Sequence, residues 1–178
     1  MAADLDNLVP PLKTLVVSVI TRCTARGVEL RPNQGLRDPF EQARLWRQSR
    51  SREEIDAKIA ELDANGAAFL AQCLSSVGPQ HGDHVTDTPP GLSWHQWGEA
   101  LDCFWLVDGK AEWSTQKLVG GLNGYRVLAE EAEAVGLTAG GHWKKFKDWP
   151  HVQLRAGNAS DLMSLADIDA QMGARFGG

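Results

Sequence analysis

The sequence predicts a single α+β domain, and three observations carry that expectation. Apolar residues at three-four spacing mark helices near both ends and in the middle of the chain, whereas strict alternation from Ala100 to Trp105 marks a strand. A length of 178 residues, 43% of them hydrophobic, is enough for one full core. No repeat or linker divides the chain.

Taken in order, Pro10 and Pro11 sit where a helix tolerates proline, in its first turn. Leu12, Leu15, Val16, Val19 and Ile20 follow as a buried face that Gly27 ends. Val28 to Arg31 is a short strand candidate leading into a turn at Asn33, Gln34 and Gly35. Asp38, Pro39 and Glu41 then form a helix start, with Asp38 as the cap. Ser51 to Glu54 repeats the capping pattern and opens an insert, residues 51–80, expected to be a helical hairpin carrying Ile55, Ile59, Leu62, Phe69, Leu70 and Leu74.

The stretch from Gly78 to Gly91 is rich in Gly, Pro, Asp and Thr and is expected to be a loop. The strand from Ala100 places Asp102 and Cys103 on opposite faces and turns at Val107-Asp108-Gly109-Lys110. A helix over Leu118 to Val135, ended by Gly136, a strand at Val152 to Leu154 and an amphipathic tail over residues 159–176 complete the expectation.

Chemistry concentrates in two segments, Ser93-Trp94-His95-Gln96-Trp97-Gly98-Glu99-Ala100-Leu101-Asp102 and Asp148-Trp149-Pro150-His151. A catalytic zinc takes three protein ligands from His, Asp, Glu or Cys and keeps a fourth position open. His95, Asp102 and His151 supply such a set with one negative charge. Asp148 is left over, three residues before the last imidazole, as a carboxylate able to act as general base.

These residues resemble the M15 zinc peptidases, which cut peptidoglycan stem peptides and include D-alanyl-D-alanine carboxypeptidases and L-alanyl-D-glutamate endopeptidases of phage endolysin type. The family pattern, Ser-x-His-x-x-Gly-x-Ala-x-Asp followed by Gly-Gly-x-Trp and an acid three residues before a His, stands here at Ser93 to Asp102 and Gly140 to His151. The second half is closer to the endopeptidase branch. Gly35-Leu36-Arg37 and Gln42 to Arg50 are similar to upstream family elements, with Leu36 in place of an aromatic and Ser49 in place of Gly. His142 stands where an acid is frequent. The likeness spans roughly residues 28 to 154, and residues 51–80 fall where the family more often has a short loop.

The resemblance implies a small antiparallel sheet flanked by helices, zinc held by His95, Asp102 and His151, Asp148 as general base, and Arg37 on a substrate carboxylate or the oxyanion. Gln42, Ser93, His142 and Trp149 are candidates for substrate contact. Each has a duller alternative. Asp102 suits a buried hydrogen-bonded carboxylate and Asp148 a partner that merely orients His151. Arg37 has Asp38 and Glu41 as salt-bridge partners, Ser93 a turn to shape, Gln42 a helix to pack, and His81 and His84 are rival loop imidazoles.

The implied reaction is hydrolysis of an amide bond in the murein stem, first of all L-alanyl-D-glutamate. The alternatives are a D-alanyl-D-alanine carboxypeptidase and a non-catalytic zinc module of the hedgehog type, for which a base at Asp148 has no use. A net charge of -5 and a pI near 5.5 argue against non-specific nucleic-acid binding, which needs clustered cations. Cys23, Cys73 and Cys103 are odd in number and irregularly spaced, so they suggest buried thiols, not a disulfide framework. The start lacks a basic n-region and Leu12 to Ile20 is too short for a membrane span. Synthesis in the cytoplasm, release or non-Sec export to the wall, and a monomeric state are expected.

Overall fold

The computed structural model describes residues 5–178. Its elements in chain order are α1 (Pro10–Ala25), β1 (Glu29–Gln34), α2 (Pro39–Arg47), α3 (Arg52–Ala64), α4 (Ala68–Ser76), β2 (Ala100–Val107), β3 (Lys110–Glu112), α5 (Gly124–Ala134), β4 (Thr138–Ala139), β5 (His151–Gln153) and α6 (Leu165–Phe176). The strands form one antiparallel sheet, so the α+β expectation holds. By its contacts the chain falls into two compact units, residues up to Leu36 with Trp97–Ala156, and Arg37–Gln96 with Gly157–Gly178.

The first unit contains the whole sheet. β2 is its organiser: one edge pairs with β1 from Leu106↔Glu29 to Asp102↔Gln34, while the other takes β5 at its start and β3 at its end. β4 adds to the far side of β5. Alternation along β2 sends Leu101, Cys103 and Trp105 into a core shared with Leu12, Val16, Val19 and Cys23 of α1, Tyr125 and Leu128 of α5, and Val152 of β5. Burying each large apolar side chain of this kind stabilises by roughly 1.5–3 kcal/mol. Asp102 and Phe104 point to the opposite face, which leaves Asp102 available for chemistry and Cys103 out of its reach, as alternation requires.

Local signals account for most boundaries. α1 opens on its two prolines, and Gly27, at φ +78°, takes the left-handed conformation just past its end. The turn between β2 and β3 is made by Asp108 and Gly109, both at positive φ, as a two-residue hairpin with right-handed strand twist demands. β1 runs on through Asn33 and Gln34, where a turn was expected; its other edge has no partner strand among the described residues, so Pro32 costs it no ladder bond.

The helix expected from Leu118 begins only at Gly124. Gly120 and Gly121, both at positive φ, fold residues 119–122 into a turn closed by paired Val119 and Leu122, and Asn123 caps α5 by accepting from the Tyr125 and Arg126 amides. The three-four spacing of Leu118, Leu122 and Tyr125 imitated a helix that the two glycines prevent.

The second unit is helical. α3 carries the expected capping box, with the Ser51 amide donating to Glu54 and the Glu54 amide to Ser51 Oγ. α4 is the hub: it packs against α2, α3 and α6 and buries Leu70, Ala71, Cys73 and Leu74. No side chain of its own caps it; its Leu70 amide donates instead to Asp169 of α6 at 2.8 Å. The tail expected to be weakly amphipathic is thus tied into this unit by Asp169, Ile168 and Met172, the last two fully buried. The 51–80 hairpin is therefore part of a core and not an appendage.

Candidate metal centre

The sheet register creates half of the site. Asp102 of β2 lies directly opposite His151 of β5, so both side chains leave the same face. His151 Nδ1 and Asp102 Oδ1 are 3.0 Å apart. Burial by itself would lower the His151 imidazole, but the hydrogen bond and charge of Asp102, with the charge of Asp148 and the hydrogen bond that Gln153 Oε1 accepts from the ring, outweigh it and raise its pKa. The pair thus favours a cation between Nδ1 and the carboxylate, whether a proton or a metal.

His95 is delivered by a short 3-10 turn, Trp94–Trp97. Ser93 shapes that turn: its Oγ accepts from the His95 amide at 3.4 Å, and its own amide donates to Gln96 Oε1 at 3.2 Å. Gly98, at φ +71°, then swings the chain into β2 where a Cβ would meet the Asn7 carbonyl at 2.9 Å. The ligand atoms of His95, Asp102 and His151 all lie within 4.8 Å of one another, with both imidazoles buried. Two neutral nitrogen donors and one carboxylate at that spacing fit zinc with an open coordination position.

Asp148 is placed by the backbone. Its amide donates to the Gly140 carbonyl at 3.1 Å, and its carbonyl accepts from the His151 amide at 3.2 Å, closing a turn that fixes the Asp148 backbone relative to His151. The preceding glycines allow this closeness. A Cβ on Gly140 would stand 2.4 Å from the Asp148 carbonyl oxygen, and one on Gly141 would stand 2.3 Å from the Trp149 ring.

The other sequence candidates take varied positions. Gln42 is fully buried: its Oε1 accepts from Arg37 Nη1 at 2.7 Å and from Gln96 Nε2 at 3.2 Å, while its Nε2 donates to the Thr88 carbonyl at 2.6 Å. Its role is to hold Arg37, whose amide also donates to the His95 carbonyl at 3.2 Å. His142 is exposed and paired with Glu133 at 2.7 Å, with its ring edge-on to Trp149. Trp149 is half-buried with Arg126 and Lys147 over its ring. Trp94, next to His95 in the chain, is buried and donates to the Gly157 carbonyl at 2.9 Å. His84 pairs with Asp87 on an exposed loop, and neither it nor His81 belongs to the ligand group.

Two contributors were given no role in the sequence reading, although Trp143 is the Trp of its Gly-Gly-x-Trp element. Trp143 packs its ring 5.1 Å from that of His151, and Gln153 Oε1 lies 2.8 Å from His151 Nε2. The signal for Gln153 was present: two residues along a strand from a ligand returns to the ligand's face.

Comparison with known proteins agrees with this geometry. Residues 86–154, which include all three ligands and Asp148, match the family model described as D-alanyl-D-alanine carboxypeptidase. The peptidoglycan L-alanyl-D-glutamate endopeptidase CwlK of Bacillus subtilis (strain 168) is 25% identical over 153 residues, covering 84% of this chain and 74% of that protein. Two solved structures are more distant. The L-Ala D-Glu endopeptidase ChiX of Serratia marcescens is 21% identical with a TM-score of 0.43, covering 85% of this chain and 83% of its own. The vancomycin resistance D,D-pentapeptidase VanY, from a VanB-type cassette, is 18% identical with a TM-score of 0.47, covering 90% and 83%. Ligand set, motif and matched segment agree, so over residues 86–154 the chain resembles the M15 zinc peptidases.

Proposed function

We propose that this peptidase hydrolyses the stem peptide of peptidoglycan, cutting between L-alanine and D-glutamate. The observation that carries the reading is the His95, Asp102 and His151 ligand group with Asp148 locked by backbone hydrogen bonds to the turn that ends in His151. The likeness to CwlK supports the choice of bond.

Zinc bound there supplies Lewis acidity at the scissile carbonyl and acidifies water at neutral pH. The Asp148 carboxylate accepts a proton from the attacking water and returns it to the departing amine, a contribution of about 10²–10⁴-fold. His95, Asp102 and His151 hold their donor atoms still, because two are buried and the third sits in a ladder position of β2. Arg37, held by Gln42, offers a permanently charged fork to a substrate carboxylate. Trp149 and Trp143, beside Asp148 and His151, present apolar surface to the peptide. The place of action is the cell wall.

The family description favours one second reading, removal of terminal D-alanine. A single digest separates the two. Mass spectrometry of purified murein after treatment is expected to show new stems ending in L-alanine carboxylate. Release of free D-alanine with no such ends would overturn the endopeptidase reading in favour of the carboxypeptidase, and no change with zinc-loaded protein would overturn both.

A further inference from the structure

We infer that Gln153 is a positioning residue that sets the tautomer of His151, so that Nδ1 is the atom offered to the metal. The inference rests on the reading of His95, Asp102 and His151 as a metal centre.

The hydrogen bonds around Gln153 leave one solution. The side chain is buried, and its Nε2 lies 2.5 Å from the Arg155 carbonyl oxygen. A carbonyl only accepts, so the amide nitrogen must face it and Oε1 must face the other way. That oxygen lies 2.8 Å from His151 Nε2 and also only accepts. His151 Nε2 therefore carries the hydrogen. In the neutral ring the lone pair is then on Nδ1, which faces Asp102 Oδ1 at 3.0 Å. Two donors sharing a tetrahedral zinc at bonds of roughly 2.0–2.2 Å stand about 3.3–3.6 Å apart, so this spacing closes around an ion with a shift of about half an ångström.

The Gln153 amide is itself held against flipping. A flipped amide would set its oxygen against the Arg155 carbonyl and its NH₂ against His151 Nε2–H, losing both bonds. Arg155 cannot move away easily: its guanidinium is paired with Glu99, with Nη2 at 3.1 Å from Oε1, and the Glu99 carbonyl accepts from the Leu154 amide at 2.9 Å. The register of β5 on β2, which sets Gln153 opposite Ala100, fixes the starting point of the relay. Glu99, Arg155, Gln153 and His151 thus form one path from an ion pair to a metal ligand. Loss of such a partner typically lowers metal affinity 10–100-fold.

The test uses the full chain stripped of metal and reloaded with zinc. Zinc affinity is measured by competition with a chromophoric chelator, and the ring protonation of His151 by long-range ¹H–¹⁵N correlation of ¹⁵N-histidine protein. Wild-type protein is expected to show His151 with hydrogen on Nε2. Gln153→Leu, which leaves Nε2–H without that acceptor, should bind zinc about 10–100-fold more weakly and lose the unique Nε2–H pattern. Gln153→Glu, which keeps an acceptor for Nε2–H but sets its second oxygen against the Arg155 carbonyl, should keep the Nε2–H pattern and lose less zinc affinity than Gln153→Leu.

Equal zinc affinity and an unchanged Nε2–H pattern in Gln153→Leu would overturn this inference while leaving the metal centre intact. Wild-type protein that takes up no zinc would overturn the metal centre and the inference with it. Should Gln153→Leu not fold, Gln153→Glu decides: a folded variant showing hydrogen on Nδ1 in place of Nε2 counts against the assignment, and one that keeps Nε2–H supports it.

Discussion

Replacing Gly140 with alanine tests whether Asp148, the proposed general base, is placed by backbone packing. The added methyl group would lie 2.4 Å from the Asp148 carbonyl oxygen, 3.0 Å from His151 Cβ and 3.1 Å from Asp148 Cβ. Ordinary contact begins near 3.4 Å, so the Asp148 backbone must retreat by about 1 Å. The retreat pulls on two hydrogen bonds at once, from the Asp148 amide to Gly140 and from the His151 amide to Asp148. A misplacement of about 1 Å at a catalytic group can cost on the order of 10²-fold in rate, and overpacking of this kind typically costs about 1–3 kcal/mol of stability. Gly140→Ala is therefore expected to remain folded, to lose roughly 10²-fold in kcat on a stem peptide, and to bind zinc more weakly because His151 moves with the turn. The atoms nearest a Gly141→Ala methyl belong to the half-buried Trp149 ring, which can swing aside, so its effect should fall mainly on KM. Steady-state kinetics with chelator competition reads both variants. Wild-type kcat and zinc affinity in Gly140→Ala would refute the placement of Asp148 by this turn.

Four further outcomes are expected. His151→Ala should lose zinc by metal analysis, whereas Asp148→Ala should keep about one zinc per chain and lose roughly 10²–10⁴-fold in rate; loss of metal from Asp148→Ala would make it a ligand support. Burial pushes the Cys23 and Cys73 thiols up to about 12 and Cys103 higher still, so a thiol reagent at pH 8 should label the native chain hardly at all and the denatured chain at all three positions. Glu131 is held below its usual 4.5 by hydrogen bonds from Arg26 and Arg22; its stabilising effect is present above that value and fades as the pH falls through the lowered one. Glu131→Gln should thus lower the urea midpoint at neutral pH and match wild type in strong acid, and an equal deficit at both would point to packing instead. Deleting residues 51–80 should abolish cooperative unfolding of the helical unit, because α4 is its hub; a truncated chain that unfolds cooperatively and still binds zinc would show the hairpin to be dispensable.

Legibility followed the range of the interactions. Caps, prolines and alternation act within a few residues, so the Asp38 cap, the Ser51–Glu54 box and the two faces of β2 could be read directly. The candidate zinc ligands were legible for another reason: their spacing matched a known pattern. Elements made by distant partners were not legible. β4 is two residues long and exists because β5 pairs with it. α4 takes its N-terminal acceptor from Asp169, roughly a hundred residues away in the chain. Neither leaves a local mark.

Gln153 belongs to a third kind, locally visible but uninterpretable without long-range geometry. Alternation from His151 puts it on the ligand's face, yet a glutamine on a strand face has no fixed polarity: either end of the amide can turn toward the imidazole. Only the Arg155 carbonyl decides the direction, and that carbonyl is held by an ion pair to Glu99, which sits three residues before Asp102. The segment Glu99 to Asp102 therefore acts on His151 twice, through Asp102 at Nδ1 and, by way of Arg155 and Gln153, at Nε2. A ligand whose two nitrogens are both specified by partners on one sheet is preorganised before metal arrives, which limits the ordering cost of binding. The sheet register is thus part of the active site, and substitutions in β2 or β5 that keep every ligand are still expected to change zinc affinity.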